Sequence, residues 1–252
     1  MSRNLEILEQ VHQDQELFRV YPVTQQAPVS CESAASRPAI SDNNGFQHEE
    51  LLGLAQRLFL AGDSQAEGRM RQVVFCGIDV ADGTGALCAE LGRILASQVS
   101  AHVCVVDANV RAPALHRLLR IERSNGEASP QAATQPELLQ KVAGNLWLIS
   151  GHLAATNGGV TASLEQVRCH IKDLPAEFAY VVISAPPVGL YNDAALLGQR
   201  AEGVVLVLEA NSTRRVAARK AKQALEAANV RVLGTVLNNR TFPIPEKIYR
   251  LL

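Results

Sequence analysis

The chain has 252 residues, of which 47% are hydrophobic and 19% are charged, a composition that is ordinary for a globular protein. This length suffices for one α/β domain of about 200 residues and an additional segment. The formal net charge of −1 lacks the basic excess of nucleic-acid-binding proteins, so we expect no nucleic-acid partner. The sequence contains no apolar signal core and no uncharged apolar run of about 18 residues, which predicts a cytoplasmic protein.

The N-terminal segment differs in composition from the rest of the chain. Residues 1–20 are predicted to contain an amphipathic helix, and residues 21–45 are rich in Pro, Ser, Gln, Ala and Asn. Because such a composition cannot bury a core, we interpret residues 21–45 as a flexible linker. The folded domain is then predicted over residues 46–252, and its first helix spans about 47–61.

From residue 71 onward, continuous apolar runs alternate with helical stretches. The apolar runs occupy residues 72–78, 102–107, 145–150, 179–184, 203–209 and 230–238. Helices are predicted at 85–98, 112–120, 161–174, 191–200 and 213–228, and a loop at 122–136. Runs that are apolar throughout are typical of strands buried on both faces. The alternation therefore predicts an α/β fold: a mostly parallel sheet with helices on both faces, in three layers α/β/α.

Polar residues follow four of the predicted strands at their carboxyl ends. DVADGTG at 79–85 follows the first strand, and DANVRAP at 107–113 follows the second. Ser184 closes the fourth strand, and Asn238 closes the sixth. Because ligands in such sheets bind beyond the carboxyl ends of the strands, the four segments predict one common site.

The first of these segments has two interpretations. Gly83, Thr84, Gly85 and Ala86 lie between a strand and a helix, where backbone N–H groups can bind a phosphate. The same residues can also form a plain tight turn, with Asp82 or Thr84 capping the helix that follows.

The other segments also have structural and ligand-binding interpretations. Asp107 can ligate a metal or cap the next helix, and Arg111 can hold a phosphate, pair with an acid or contact another subunit. Asn238 can contact a base or end a strand. Ser184 has no histidine near it in the sequence to activate it, which favours a structural role. The basic residues at 214–222 are typical of a solvated helix face, or of an interface with anionic lipid.

Three stretches resemble the bacterial tyrosine autokinases of capsule and exopolysaccharide synthesis, which descend from deviant-Walker ATPases. VCVVDANVRAPALHRLL at 103–119 is similar to that family's second motif, and residues 178–215 resemble its Walker B region. VRVLGTVLNN at 230–239 resembles its last core strand. The resemblance covers residues 46–252 and implies a P-loop NTPase-like fold with ATP and Mg²⁺ as cofactors.

The sequence departs from this family at the positions that carry the chemistry. Thr84 stands where the family has the loop lysine, and Gly85 stands where it has the magnesium-binding hydroxyl. Asn109 replaces the second acid of the Asp-x-Asp motif, Ser184 replaces the Walker B aspartate, and Asp107 is the metal ligand that remains. The positions left for a weakened nucleotide site are Asp82, Gly83, Thr84, Gly85, Ala86, Arg111 and Asn238. Phosphoryl transfer depends on cations around the phosphoryl group, so we expect catalysis to be impaired further than binding.

The resemblance implies two functions that differ in chemistry. The first is a catalytically impaired regulator of exopolysaccharide or capsule biosynthesis or export. It would act in the cytoplasm through partners, such as the cytoplasmic segment of a Wzz-like membrane chain-length determinant, which would bring it to the membrane's inner face. The second is an active ATP-dependent protein-tyrosine kinase or ATPase that receives a cation from a partner. A partitioning-type ATPase is a third interpretation, and a partial subunit-contact pattern at 49–57 leaves a homo-oligomer as an expectation.

Overall fold

The structure is a computed structural model, and it describes residues 44–60, 70–79, 83–121, 139–151 and 159–239. The predicted N-terminal helix, nearly all of the predicted linker, the loop at 122–136 and Asp82 lie outside these residues. The division into helix, linker and domain therefore stays a prediction.

The described residues form seven strands and six α-helices. In chain order they are α1 Asn44–Ala55 with a π-helical continuation Gln56–Leu60, β1 Arg71–Gly77, α2 Thr84–Gln98, β2 His102–Asp107, α3 Leu115–Leu118, β3 Leu139–Ala143, β4 Leu146–Ile149, α4 Gly159–Lys172, β5 Phe178–Ala185, α5 Asp193–Gly198, β6 Gly203–Glu209, α6 Arg215–Ala227 and β7 Val232–Asn238. None of the helices within the described ranges combines the length and the apolar character needed to cross a bilayer.

The strands form a single sheet in the order β3-β4-β2-β5-β1-β6-β7. All neighbouring strands are parallel except β3 and β4, which pair antiparallel. Helices α4, α5 and α6 pack on one face of the sheet, and α1 and α2 pack on the other. The predicted three-layer α/β fold is therefore confirmed.

The central strands are buried on both faces, as their continuous apolar runs predict. Along β1, Val74 and Cys76 point into the core shared with α4, α5 and α6, whereas Val73 and Phe75 point into the core shared with α1 and α2. All four side chains have no exposed surface. Full burial of a large apolar side chain contributes about 1.5–3 kcal/mol, so the two cores together stabilise the sheet that carries the strand ends.

Two elements differ from the sequence prediction. Strand β3 was not predicted; it forms an antiparallel hairpin with β4, and Gly144 adopts the left-handed conformation (φ 53°) in the turn between them. The helix predicted at 112–120 is confined to α3, Leu115–Leu118. Pro113 precedes it, and Arg120 follows it in the left-handed conformation (φ 55°), which no helix continues through.

Candidate functional site

A cavity of about 290 Å³ lies beyond the carboxyl ends of β1, β2 and β5. Its lining includes most of the predicted site residues: Gly83, Thr84, Gly85, Ala86, Asp107, Asn109 and Ser184. The other described residues that line it are Gly77, Ala112, Ala114, Leu115, Leu118, Ala185 and Pro187. Three of the four polar strand-end segments therefore meet at one cavity, at the edge of the sheet where the sequence predicted a site.

The turn between β1 and α2 presents the N-terminus of a 15-residue helix to this cavity. Gly83 occupies the N-cap position in the left-handed conformation (φ 73°), and its carbonyl accepts the first helical hydrogen bond from the Leu87 N–H at 3.0 Å. The prediction that Thr84 holds the cap position is wrong, because Thr84 is already the first helical residue, whereas Asp82 lies outside the described residues. Glycine is favoured at Gly83 because a side chain would strain this conformation.

Asn238, at the end of β7, lies directly beside this turn. A Cβ atom built on Gly83 would be 2.5 Å from Nδ2 of Asn238. The close approach gives Gly83 a second reason to lack a side chain. Asn238 is thus next to the cavity but is not among the residues that line it.

Asp107 is a buried carboxylate at the end of β2, with 1% of its surface exposed. Its Oδ2 accepts hydrogen bonds from the backbone N–H groups of Ala114 and Leu115, each at 2.9 Å. Burial raises the pKa of Asp107 to about 6, although these hydrogen bonds and the charge of Arg117 oppose the rise. Asp107 therefore caps α3, as one of its two interpretations predicted, and still lines the cavity.

Asn109 and Ser184 are the two residues that the family resemblance places at the positions of metal-binding acids. The Asn109 side-chain oxygen accepts a hydrogen bond from the Ala112 N–H at 3.3 Å, which closes a local turn. Ser184 lies beside Asp107 in the parallel register of β2 and β5 and is buried. Its carbonyl accepts a hydrogen bond from the Ala108 N–H at 2.9 Å, so its backbone holds the end of β2 in place.

Arg111 is engaged within the chain, away from the described cavity lining. Its guanidinium pairs with the carboxylate of Asp193, the first residue of α5, and lies 4.0 Å from the centre of the Tyr191 ring. Asp193 is nearly buried, with 13% of its side chain exposed. Of the three roles open to Arg111 in the sequence, pairing with an acid is observed.

The chain resembles curated proteins over most of its predicted domain. The tyrosine-protein kinase YwqD of Bacillus subtilis (strain 168) is 23% identical over 180 residues, which cover 70% of this chain and 76% of YwqD. Several curated bacterial tyrosine-protein kinases are similar to this chain. No protein-family model matches it.

Solved structures share its fold. The kinase domain of the Escherichia coli tyrosine kinase ETK aligns with a TM-score of 0.60 at 18% identity, covering 78% of each chain. The septum site-determining protein MinD of Pyrococcus horikoshii OT3, solved with Mg-ADP, aligns with a TM-score of 0.53 at 18% identity, covering 73% of this chain and 78% of MinD. The fold of this chain is therefore P-loop NTPase-like.

The described residues that line the cavity of this chain are a poor fit to a magnesium-bound triphosphate. None of those that line the cavity is a lysine or an arginine, and Asp107 is the single carboxylate among them. One of its oxygens already accepts two hydrogen bonds, whereas magnesium requires a near-octahedral set of oxygen ligands. In the described ranges, no group of three or more His, Cys, Asp or Glu side chains is placed to hold a metal. The backbone N–H groups in the first turn of α2 are what remains for an anion.

Sequence reasoning missed the residues that hold the site in shape. The Ala114 and Leu115 N–H groups that bind Asp107 are backbone groups, which a sequence motif does not display. The pair of Arg111 and Asp193 joins residues 82 positions apart in the chain. Asp193 lies in the first turn of the helix predicted at 191–200, which was the available signal for it, but nothing in the sequence pointed to Arg111 as its partner.

Proposed function

We propose that this protein acts in capsule or exopolysaccharide biosynthesis or export as a catalytically impaired tyrosine-kinase-like protein. The observation that carries the proposal is the cavity at the carboxyl ends of β1, β2 and β5. Thr84, Gly85, Asn109 and Ser184 surround Asp107 there without a cation among the described lining residues. The fold that positions a nucleotide is kept, while the side chains that would neutralise its phosphates are replaced.

The replacements weaken nucleotide binding by an amount that can be bounded. A charge-assisted hydrogen bond contributes about 1.5–3 kcal/mol. Loss of the loop lysine and of two magnesium ligands therefore removes on the order of 5 kcal/mol, or at least about a thousandfold in affinity. Ionised Asp107 adds to this loss, since it repels phosphate when no cation stands between them.

Phosphoryl transfer is affected more severely than binding. Stabilisation of the transferred phosphoryl group comes almost entirely from cations and hydrogen-bond donors placed around it. The backbone N–H groups of α2 supply donors but no full positive charge. The chain would therefore act by binding other proteins, and the partner we propose is the cytoplasmic segment of a Wzz-like membrane chain-length determinant.

One observation favours the alternative of an active ATP-dependent kinase. Asp107 stays a carboxylate although burial raises its pKa to about 6, so its ionised form destabilises the fold. A carboxylate kept at such a position is typical of a ligand for a cation. In this alternative a partner or a second subunit supplies the missing cation.

Phosphotransfer by the purified full chain tests the proposal. The chain is incubated with labelled ATP and Mg²⁺, alone and with the cytoplasmic segment of a candidate chain-length determinant, and labelled tyrosine and released phosphate are both measured. We expect neither labelled tyrosine nor released phosphate to exceed background, whether or not the partner segment is present. Turnover by the chain alone at roughly 1–100 s⁻¹, the typical range for kinases, would overturn the proposal. Turnover that appears only when the cytoplasmic segment of the chain-length determinant is added to the chain would establish the alternative.

A further inference from the structure

The first half of helix α6 is a concentrated cationic surface. Residues 210–225 contain five of the 24 Lys and Arg residues of the chain and none of its 25 Asp and Glu residues. The five cations are Arg214, Arg215, Arg219, Lys220 and Lys222, and all are exposed. Because the whole chain carries a formal charge of −1, the positive charge is local to this segment.

Helical spacing arranges these cations around an apolar side chain. Arg215, Arg219 and Lys222 are three or four residues apart and form a stripe along one side of α6. Val216 lies beside this stripe and is 64% exposed, the largest value among the exposed large apolar side chains of the described residues. Lys220, one turn further along, flanks Val216 on the other side.

Helix stability does not explain this arrangement. Arg214 at the N-cap and Arg215 in the first turn place positive charge at the positive end of the helix dipole, which is unfavourable. Arg215 with Arg219, and Arg219 with Lys222, are like-charged pairs at helical spacing, which also oppose helix formation. Lys222 pairs with Glu226 at 3.4 Å, so one of the five cations is balanced within α6. Residues that oppose their own local structure point to a function outside it.

We propose that the outer face of α6, formed by Arg215, Val216, Arg219, Lys220 and Lys222, docks on an anionic lipid membrane. The Lys and Arg side chains meet the acidic head groups, and each contributes about a fivefold factor to membrane partitioning at the surface. Val216 enters the interfacial region between them. Ala221 and Leu225 on the opposite side of α6 are buried against the sheet, so the docking face forms without unfolding. None of these five residues lines the cavity at the carboxyl ends of β1, β2 and β5, and the proposal does not depend on the proposed function.

The chemistry of this face favours lipid over the other polyanions. Residues 210–228 contain no aromatic side chain on which a nucleic-acid base could stack. The sequence pI of about 6.6 is also far below the strongly basic range of nucleic-acid-binding domains. Val216 projects outward rather than lining a groove, which suits a soft apolar interface better than the structured surface of an acidic protein.

Vesicle flotation with the full chain tests the proposal. Binding is measured to phosphatidylcholine vesicles and to vesicles in which about one third of the lipid is phosphatidylglycerol, at low salt and at about 0.5 M salt. The test variant is Arg215→Gln/Arg219→Gln/Lys222→Gln. The matched control is Lys172→Gln/Arg200→Gln/Arg231→Gln, which removes three exposed cations from other elements and changes the net charge equally.

We expect the wild-type chain to bind the anionic vesicles but not the phosphatidylcholine vesicles, and to be released from the anionic vesicles at high salt. The α6 variant should lose at least about tenfold in binding, and the control less than about threefold. The α6 variant should melt no lower than the wild type, since it loses like-charge repulsion. Equal losses in both variants, equal binding to both vesicle types, or binding to duplex DNA in place of vesicles would each overturn the proposal.

Discussion

Asp107 is the residue in which the structural and ligand-binding interpretations of the site meet. It caps α3 through Ala114 and Leu115, and it is the carboxylate of the described cavity lining. Its folded pKa of about 6 lies above the ordinary value of 3.8, because burial disfavours the charged form. The folded state therefore binds more protons than the unfolded state between about pH 4 and 6, and stability falls as the pH rises through this window.

Asp107→Asn should abolish this pH dependence. The variant keeps an acceptor oxygen for the two N–H groups of α3 but carries no charge at any pH. We expect its free energy of unfolding, relative to wild type, to rise by about 2 kcal/mol between pH 4 and pH 7. Urea unfolding across this range measures the difference, and Asp173→Asn, at an exposed position, is the matched control. A difference that does not change with pH would show that Asp107 is not buried as a charge.

Gly83→Ala should destabilise the chain through both backbone strain and a side-chain contact. Gly83 has a φ of 73°, and an added Cβ would be 2.5 Å from Nδ2 of Asn238. Gly144 has a φ of 53° but nothing within 4 Å of its added Cβ. Gly144→Ala therefore isolates the strain, about 1 kcal/mol, and Gly83→Ala should cost about 0.5–1 kcal/mol more in equilibrium unfolding, since the amide end of the Asn238 side chain must move. Equal losses in the two variants would contradict the contact with Asn238.

At the residue scale, the sequence predicted seven of the residues that line the cavity, but Arg111 and Asn238 are not among the lining residues, and the bonding partners were not predicted. The common site of Gly83, Asp107 and Ser184 follows from three parallel strands that end at one edge, so strand prediction sufficed. The ion pair of Arg111 with Asp193 depends on how the loops after β2 and β5 pack, which local sequence does not encode. The N-cap at Gly83 was missed because side-chain capping was considered before left-handed glycine.

At the scale of elements, α2 depends on a close approach to the sheet. A Cβ added at Gly92, in the middle of α2, would be 2.3 Å from Cγ2 of Val105 on β2. Because Gly92 has no side chain, α2 can pack closely against β2, and this packing positions the N-terminus of α2 at the cavity. Gly85, at the N-terminal end of the same helix, has ordinary space, with Cδ1 of Leu118 3.5 Å from an added Cβ.

The two glycines should respond oppositely to alanine. Gly92→Ala should lower the free energy of unfolding by about 1–3 kcal/mol, because a buried helix and strand must separate to admit the methyl group. Gly85→Ala should leave stability unchanged or raise it by up to about 1 kcal/mol, since alanine is the better helix former. Denaturant unfolding of both variants is the measurement. Stability loss of the same size at Gly85 would mean that the turn itself requires glycine there.

Element prediction succeeded where burial dictated the pattern and failed where packing decided it. The six predicted strands are present, and five of them are largely buried apolar runs, whereas β7 lies at the sheet edge and is partly exposed. Strand β3 has a half-exposed pattern at the sheet edge, and its sequence, LQKVA, is as compatible with a helix or a loop. The short helix α3 is limited by Pro113 and by the left-handed Arg120, which a propensity-based prediction does not weigh sufficiently.

For the whole molecule, the sequence predicted the fold class and the sheet edge that carries the candidate site. Both follow from the alternation of buried strands and helices, which leaves few topologies possible. Under the proposed function, Thr84, Gly85, Asn109 and Ser184 stand where an active tyrosine kinase of this kind would have charged or metal-binding side chains. The molecule therefore has a P-loop NTPase-like fold in which the described lining of the cavity contains no Lys or Arg side chain.

Thermal unfolding of the full chain, with and without millimolar ATP and Mg²⁺, tests this central claim most directly. A ligand present at about 100 times its dissociation constant stabilises a protein by about 2.7 kcal/mol, which shifts the Tm of a domain of this size by roughly 5–10 °C. We predict a shift below about 1 °C, because the cavity lacks the cations that hold a triphosphate. A rise in Tm of about 5 °C or more would contradict this claim if it disappears when Mg²⁺ is chelated. Such a result would establish a working nucleotide site.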